Sequence, residues 1–140
     1  MTKIIIQEEY YTLPGVISNL DSLFVFGDNT KRIGNGGQAQ IRPASNTYGI
    51  ATKNAPCMLY DSCFFDDNNQ DDWKILEQDL DGLYKVFLSN EYEVLIFPKD
   101  GLGTGLSDLP NKAPNLYKFL IMYLNTTFGI KTIDCKLYLK

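Results

Sequence analysis

The 140-residue sequence contains no histidine. That absence excludes Ser-His and Cys-His nucleophile activation, and any metal site that needs imidazole. Long hydrophobic runs are missing too. No stretch approaches the ~20 apolar residues that cross a bilayer, and the N-terminus lacks the basic segment, apolar core and small-residue cleavage site of a secretion signal. A cytoplasmic protein with no membrane partner is expected. Cysteine is scarce, and Cys57, Cys63 and Cys135 form an odd set without Cys-x-x-Cys spacing. Neither a disulfide framework nor a zinc site is indicated, and reduced thiols are expected. Positive charge is in deficit: 13 Lys and Arg face 17 Asp and Glu, for a net charge of −4. General nucleic-acid binding, which relies on neutralising phosphates, is not expected. Any chemistry must rest on Lys, Asp, Glu, Tyr, Thr or Cys, and no cofactor is called for.

The length suits one domain, residues 1–140, able to bury a core without disulfides or structural metal. Ile4 to Ile6, Leu23 to Phe26, Tyr48 to Ala51, Val94 to Phe97 and Thr132 to Leu139 are strand candidates, and the all-apolar run Leu23 to Phe26 suits a strand buried on both faces. Helical spacing of Trp73, Leu76, Leu80, Leu83 and Phe87 predicts a helix over Asp72 to Leu88, with Asp71 and Asp72 at its N-terminal end. A second helix is predicted from Pro114 to a stop at Gly129. Strand and helix therefore alternate, which places the chain in the α/β class with a mostly parallel central sheet flanked by helices.

Two glycine-rich turns directly follow apolar strands. The first runs from Asp28 and Asn29 to Gly36, Gly37 and Gln38, and its glycine pair lets backbone approach a ligand closely. Asn29 offers donor and acceptor groups to hydroxyls, while Gly36 to Gln38 offer amides at the start of a predicted helix. The second turn holds Gly103, Thr104, Gly105 and Leu106, whose amides and the Thr104 hydroxyl can wrap a pyrophosphate. Ligands of such sheets bind beyond the carboxyl ends of strands, so one shared crevice is expected. Lys53 ends a third strand within reach of it. The acidic loop Asp66 to Asp72 reads as a surface loop, since a calcium loop would need glycine where Asp71 stands. Tyr10, Tyr11, Phe64 and Phe65 are candidates for a binding lip or for the core.

Val25-Phe26-Gly27-Asp28-Asn29 followed by Asn35-Gly36-Gly37-Gln38-Ala39 resembles the macrodomain pattern of Asn-Ala-Ala-Asn, a short spacer and Gly-Gly-Gly-Val-Ala. Ile96-Phe97-Pro98 and Gly103-Thr104-Gly105-Leu106 are similar to that family's Phe-Pro and Ser-Thr-Gly run, which wraps the ligand's phosphates. Ala51-Thr52-Lys53 aligns with Ile-Thr-Lys of the branch that hydrolyses ADP-ribose from carboxylate side chains, the terminal ADP-ribose protein glycohydrolase type. The motifs together also look like small uncharacterised bacterial and viral proteins.

The resemblance implies a three-layer macrodomain-like fold. It implies a ligand that is ADP-ribose or an ADP-ribosylated substrate, held by Asp28, Asn29 and the two glycine turns. Lys53 becomes the implied nucleophile. Ser107 occupies the place of that branch's aspartate, with Asp108 next to it as the implied catalytic carboxylate and Asp100 as an inserted alternative. Two readings follow: hydrolysis of an ADP-ribosyl bond through Lys53, or a non-catalytic module that reads or sequesters an ADP-ribose-derived metabolite.

Overall fold

The computed structural model describes residues 1–140. Strands β1 (Lys3–Gln7), β2 (Ser22–Asn29), β3 (Thr47–Lys53) and β4 (Val94–Pro98) form one sheet in the order β1-β4-β2-β3, and every pairing is parallel. Helix α1 (Leu13–Ile17) joins β1 to β2, α2 (Gln70–Ser89) precedes β4, and α3 (Leu109–Lys112) and α4 (Pro114–Phe128) follow it. No helix is long and apolar enough to cross a membrane.

Alternating side chains of the two central strands serve two separate cores, as a period of two requires. Leu23, Val25, Leu95 and Phe97 pack with Leu76, Leu80 and Leu83 of α2 and with Leu116, Leu120 and Leu124 of α4. Phe24, Phe26 and Ile96 face the other way, onto Tyr11, Val16 of α1 and Ile41. Both faces of the two central strands are thus covered, which is why β2 and β4 read as unbroken apolar runs.

Two expectations change, and one open choice is decided. Thr132 to Leu139 is a hairpin: β5 (Ile130–Ile133) and β6 (Lys136–Leu139) pair antiparallel, and the turn residues Asp134 and Cys135 both take positive φ. That is the backbone of a tight two-residue hairpin loop, hidden because neither residue is glycine. The helix expected after Gly37 is only a 3-10 turn, Gly37–Ile41, because Pro43 has no N–H with which to extend it. Among the four aromatics only Tyr10 is exposed, whereas Tyr11, Phe64 and Phe65 are buried.

The acidic loop is structural. Asp67 accepts hydrogen bonds from the amides of Asn115 (3.1 Å) and Leu116 (2.9 Å), so it caps α4 from a distant part of the chain. Asp72 is buried and accepts from the Asp66 amide and the Asn54 side chain. Asp67→Ala is expected to cost about 1 kcal/mol, as for other lost N-caps, measurable as a lower urea midpoint with unchanged slope.

Candidate functional site

A cleft of about 590 Å³ opens at the carboxyl ends of the strands. Its origin is a parting of the two central strands. The β2–β4 ladder runs only from Ser22↔Val94 to Phe24↔Ile96, while β2 continues to pair with β3 as far as Asn29↔Lys53. Past Phe24, the β2 groups that would have bonded β4 find side chains instead. The Tyr11 hydroxyl lies 2.8 Å from the Val25 carbonyl and 3.2 Å from that of Ile96. The Gly27 amide donates to the Gln38 side chain at 2.8 Å.

Both glycine turns line this cleft, with Asp28, Asn29, Gly36, Gly37 and Gln38 on one side and Gly103, Thr104, Gly105 and Leu106 on the other. The amides of Gly36, Gly37 and Gln38, and those of Gly103 through Leu106, donate to no acceptor within the protein. Two sets of free N–H groups from two turns make a concavity suited to an anion. Gly36 and Gly105 add a second signal. A Cβ at either would meet no atom within 4 Å, and neither has a positive φ, so folding does not require glycine there. Gly103 differs, having φ +76° and Leu109 and Thr52 against it.

Several polar side chains expected to contact a ligand are instead spent on shaping the turns. The Asp28 carboxylate, 3% exposed, is held by Arg42 at 2.6 and 3.0 Å and by Arg32 at 3.4 Å. Arg42 also donates to the Ile33 and Gly34 carbonyls, which fastens the first turn to β2. Nothing in the sequence pattern signals this role, since an arginine five residues past the glycine pair reads as a surface residue. The Asn29 side chain donates to the Ile33 carbonyl (2.8 Å) and accepts from the Lys31 amide (3.1 Å). The Thr104 hydroxyl is turned onto the Asp100 carbonyl at 2.5 Å. Asp108 is not in the cleft at all. It stands in the left-handed region at the start of α3 and accepts from the Asn111 side chain at 2.7 Å. Asp100 is the carboxylate of the second turn that lines the cleft.

Lys53 does line the cleft, but it is only 5% exposed. Its Nζ lies 2.8 Å from the Met58 sulfur, a weak acceptor, and 4.9 Å above the Phe64 ring. No carboxylate forms an ion pair with it, and burial pushes its pKa below the usual lysine value. The covering loop is closed by a disulfide between Cys57 and Cys63, with Cα atoms 5.6 Å apart. The expectation of reduced thiols is thus corrected for this pair, while Cys135 remains free. A six-residue separation carries no recognised motif, and only the fold shows that the bridge closes the loop over the amine.

Sheet and cleft together define an α/β protein with a crevice where its two central strands part. Residues 6–122 match the family model described as Family of unknown function (DUF7831), and the chain belongs to that family. The match takes in both glycine turns and Lys53 and ends before the β5–β6 hairpin. No curated protein and no solved structure matches the chain.

Proposed function

We propose that the cleft binds ADP-ribose or a related nucleotide sugar, with the diphosphate across the two glycine turns and the distal ribose beside Asn29 and Lys53, in a three-layer macrodomain-like fold. The observation that carries this reading is the pair of free-amide turns, each with a glycine, Gly36 and Gly105, that the fold does not need. Close approach of a ligand backbone supplies the missing reason. The cleft volume also lies within the range of small-molecule sites.

In the catalytic form of the proposal, the neutral Lys53 amine attacks the anomeric carbon of the distal ribose. A C–N bond forms as the C–O bond to the substrate carboxylate breaks, and its electron pair leaves with the carboxylate. Water then adds at the same carbon, the C–N bond breaks with its electron pair returning to nitrogen, and the water's proton passes to the released Lys53 amine as ADP-ribose is freed. Burial favours the neutral amine this step needs. Met58 must move aside first, since it occupies the space at Nζ.

The second reading is binding without turnover. It is favoured by the position of Asp108 outside the cleft and by the absence of an ion-paired carboxylate at Lys53. Calorimetric titration with ADP-ribose, with AMP and NAD alongside, tests the site itself. Saturable micromolar binding is expected, and recovery of ligand from an ADP-ribosylated carboxylate peptide separates the two readings. No heat and no thermal stabilisation at millimolar ligand would remove both.

A further inference from the structure

The parting of β2 from β4 leaves a gap that something must hold at fixed width, and one side chain spans it. Gln38 accepts from the Gly27 amide through Oε1 at 2.8 Å and donates from Nε2 to the Gly101 carbonyl at 2.9 Å. Those partners lie 11 and 63 residues away in sequence, one within the last residues of β2 and the other in the turn that follows β4. The amide side chain therefore replaces one rung of the missing ladder, with its acceptor end on the first turn's strand and its donor end on the second turn. The local chain is fitted to it. A Cβ at Gly27 would lie 3.4 Å from Gln38 Oε1, and Gly101 has φ +92° with the Cys135 carbonyl and Thr104 crowding it.

The same residue contributes one of the free amides of the first turn. Its backbone thus belongs to one half of the anion concavity while its side chain grips the other. Tyr11 spans the split deeper in the core, but its hydroxyl serves carbonyls only, at Val25 and Ile96. Gln38 alone connects a donor of the first strand with the loop that carries Gly103 to Leu106.

We infer that Gln38 is a positioning residue that sets the distance between the two free-amide turns, so that its side chain governs affinity for a diphosphate without touching it. This rests on the proposed diphosphate site and deepens it. Carboxamide geometry is essential to the role, because one end must accept and the other donate. Glutamate meets the requirement only when protonated: a carboxylate accepts from Gly27 but confronts the Gly101 carbonyl with no proton.

The test uses the full chain with inorganic pyrophosphate and ADP-ribose as probes. Gln38→Ala leaves room for water at both backbone groups, so the melting temperature is expected to fall by only about 5 °C. Affinity for both probes is expected to fall about tenfold or more, because binding must then order two turns that the side chain no longer holds at fixed distance. Gln38→Glu should bind weakly at pH 7 and approach the parent as pH falls through the carboxylate range. The other charged groups of the cleft, Glu8, Glu9, Asp28, Lys53, Lys99, Asp100, Asp134 and Lys136, are common to both proteins and cancel in the ratio. A purely structural glutamine would show no such pH-dependent rescue. Equal affinity in Gln38→Ala, or a Gln38→Glu deficit that does not change with pH, overturns the inference. Should the parent bind neither probe, the diphosphate reading fails, and amide hydrogen exchange decides the strap separately. Faster exchange at Gly27 in Gln38→Ala supports it, and unchanged exchange overturns it.

Discussion

Lys53→Met is expected to abolish any turnover by the proposed lysine route while raising the melting temperature. The two effects share one cause. Lys53 is a nearly inaccessible cation whose neighbours are a thioether and an aromatic face, with no carboxylate paired to it. Methionine fills a similar volume and suits the Met58–Phe64 surroundings, so the substitution removes a desolvated charge and keeps the packing. The gain is expected to be on the order of 1 kcal/mol, or about 4 °C for a chain of this size.

The pH dependence gives the sign. Because the folded-state pKa lies below the ordinary 10.5, the unfolded chain binds the proton more tightly, and protonation favours unfolding. The penalty is fully present below the folded pKa, shrinks as pH rises through it, and vanishes above the unfolded value. The stability difference between Lys53→Met and the parent should therefore be largest near neutrality and close as pH rises toward 10.5. A lysine that only supports the fold would give the opposite sign, a lower melting temperature, and that result would sink this account of the site. Reduction of the Cys57–Cys63 bridge should also speed covalent labelling of Lys53, read by mass spectrometry. The bridge closes the loop that holds Met58 against Nζ.

Gly105→Val and Gly36→Val are expected to reduce ADP-ribose affinity about a hundredfold or more while leaving the fold at least as stable. Neither position has a positive φ, and neither Cβ would meet an atom within 4 Å. Replacing glycine at such unstrained positions narrows the unfolded ensemble, so Gly→Ala there should stabilise by about 0.4–1 kcal/mol. The same side chains would project where a diphosphate has to approach the free amides, and a ligand pushed back by even part of a methyl group loses those bonds. Chemical denaturation and calorimetry on the same preparations separate the effects. If the valine variants bind as the parent does, the glycines are not there for a ligand. Gly103→Ala serves as the contrasting case: it should lose stability outright, since φ is +76° and Leu109 lies 3.0 Å from the Cβ position.

The sequence by itself determined the elements whose cause is local. Four consecutive apolar residues at Leu23 and again at Val94 suit strands buried on both faces, and β2 and β4 are the central strands. The spacing through Leu76, Leu80 and Leu83, and the stop at Gly129 with φ +69°, fix α2 and α4 to within two residues. Two glycine turns after strands of one sheet suggest a shared crevice, and both turns line the cleft.

Only the tertiary structure decided what each polar side chain does there. Asp28, Asn29 and Thr104 have the chemistry of ligand contacts, yet their partners Arg42, Ile33 and Asp100 consume it. The width of the split depends on Gln38 reaching Gly101, 63 residues away, and the screening of Lys53 on a disulfide and on Phe64. The physical reason is a difference in range. Strand and helix follow from periodic burial along a few neighbouring residues. A hydrogen bond to a distant backbone group, or the desolvation of one amine, exists only once chain folding has brought those atoms within about 3 Å.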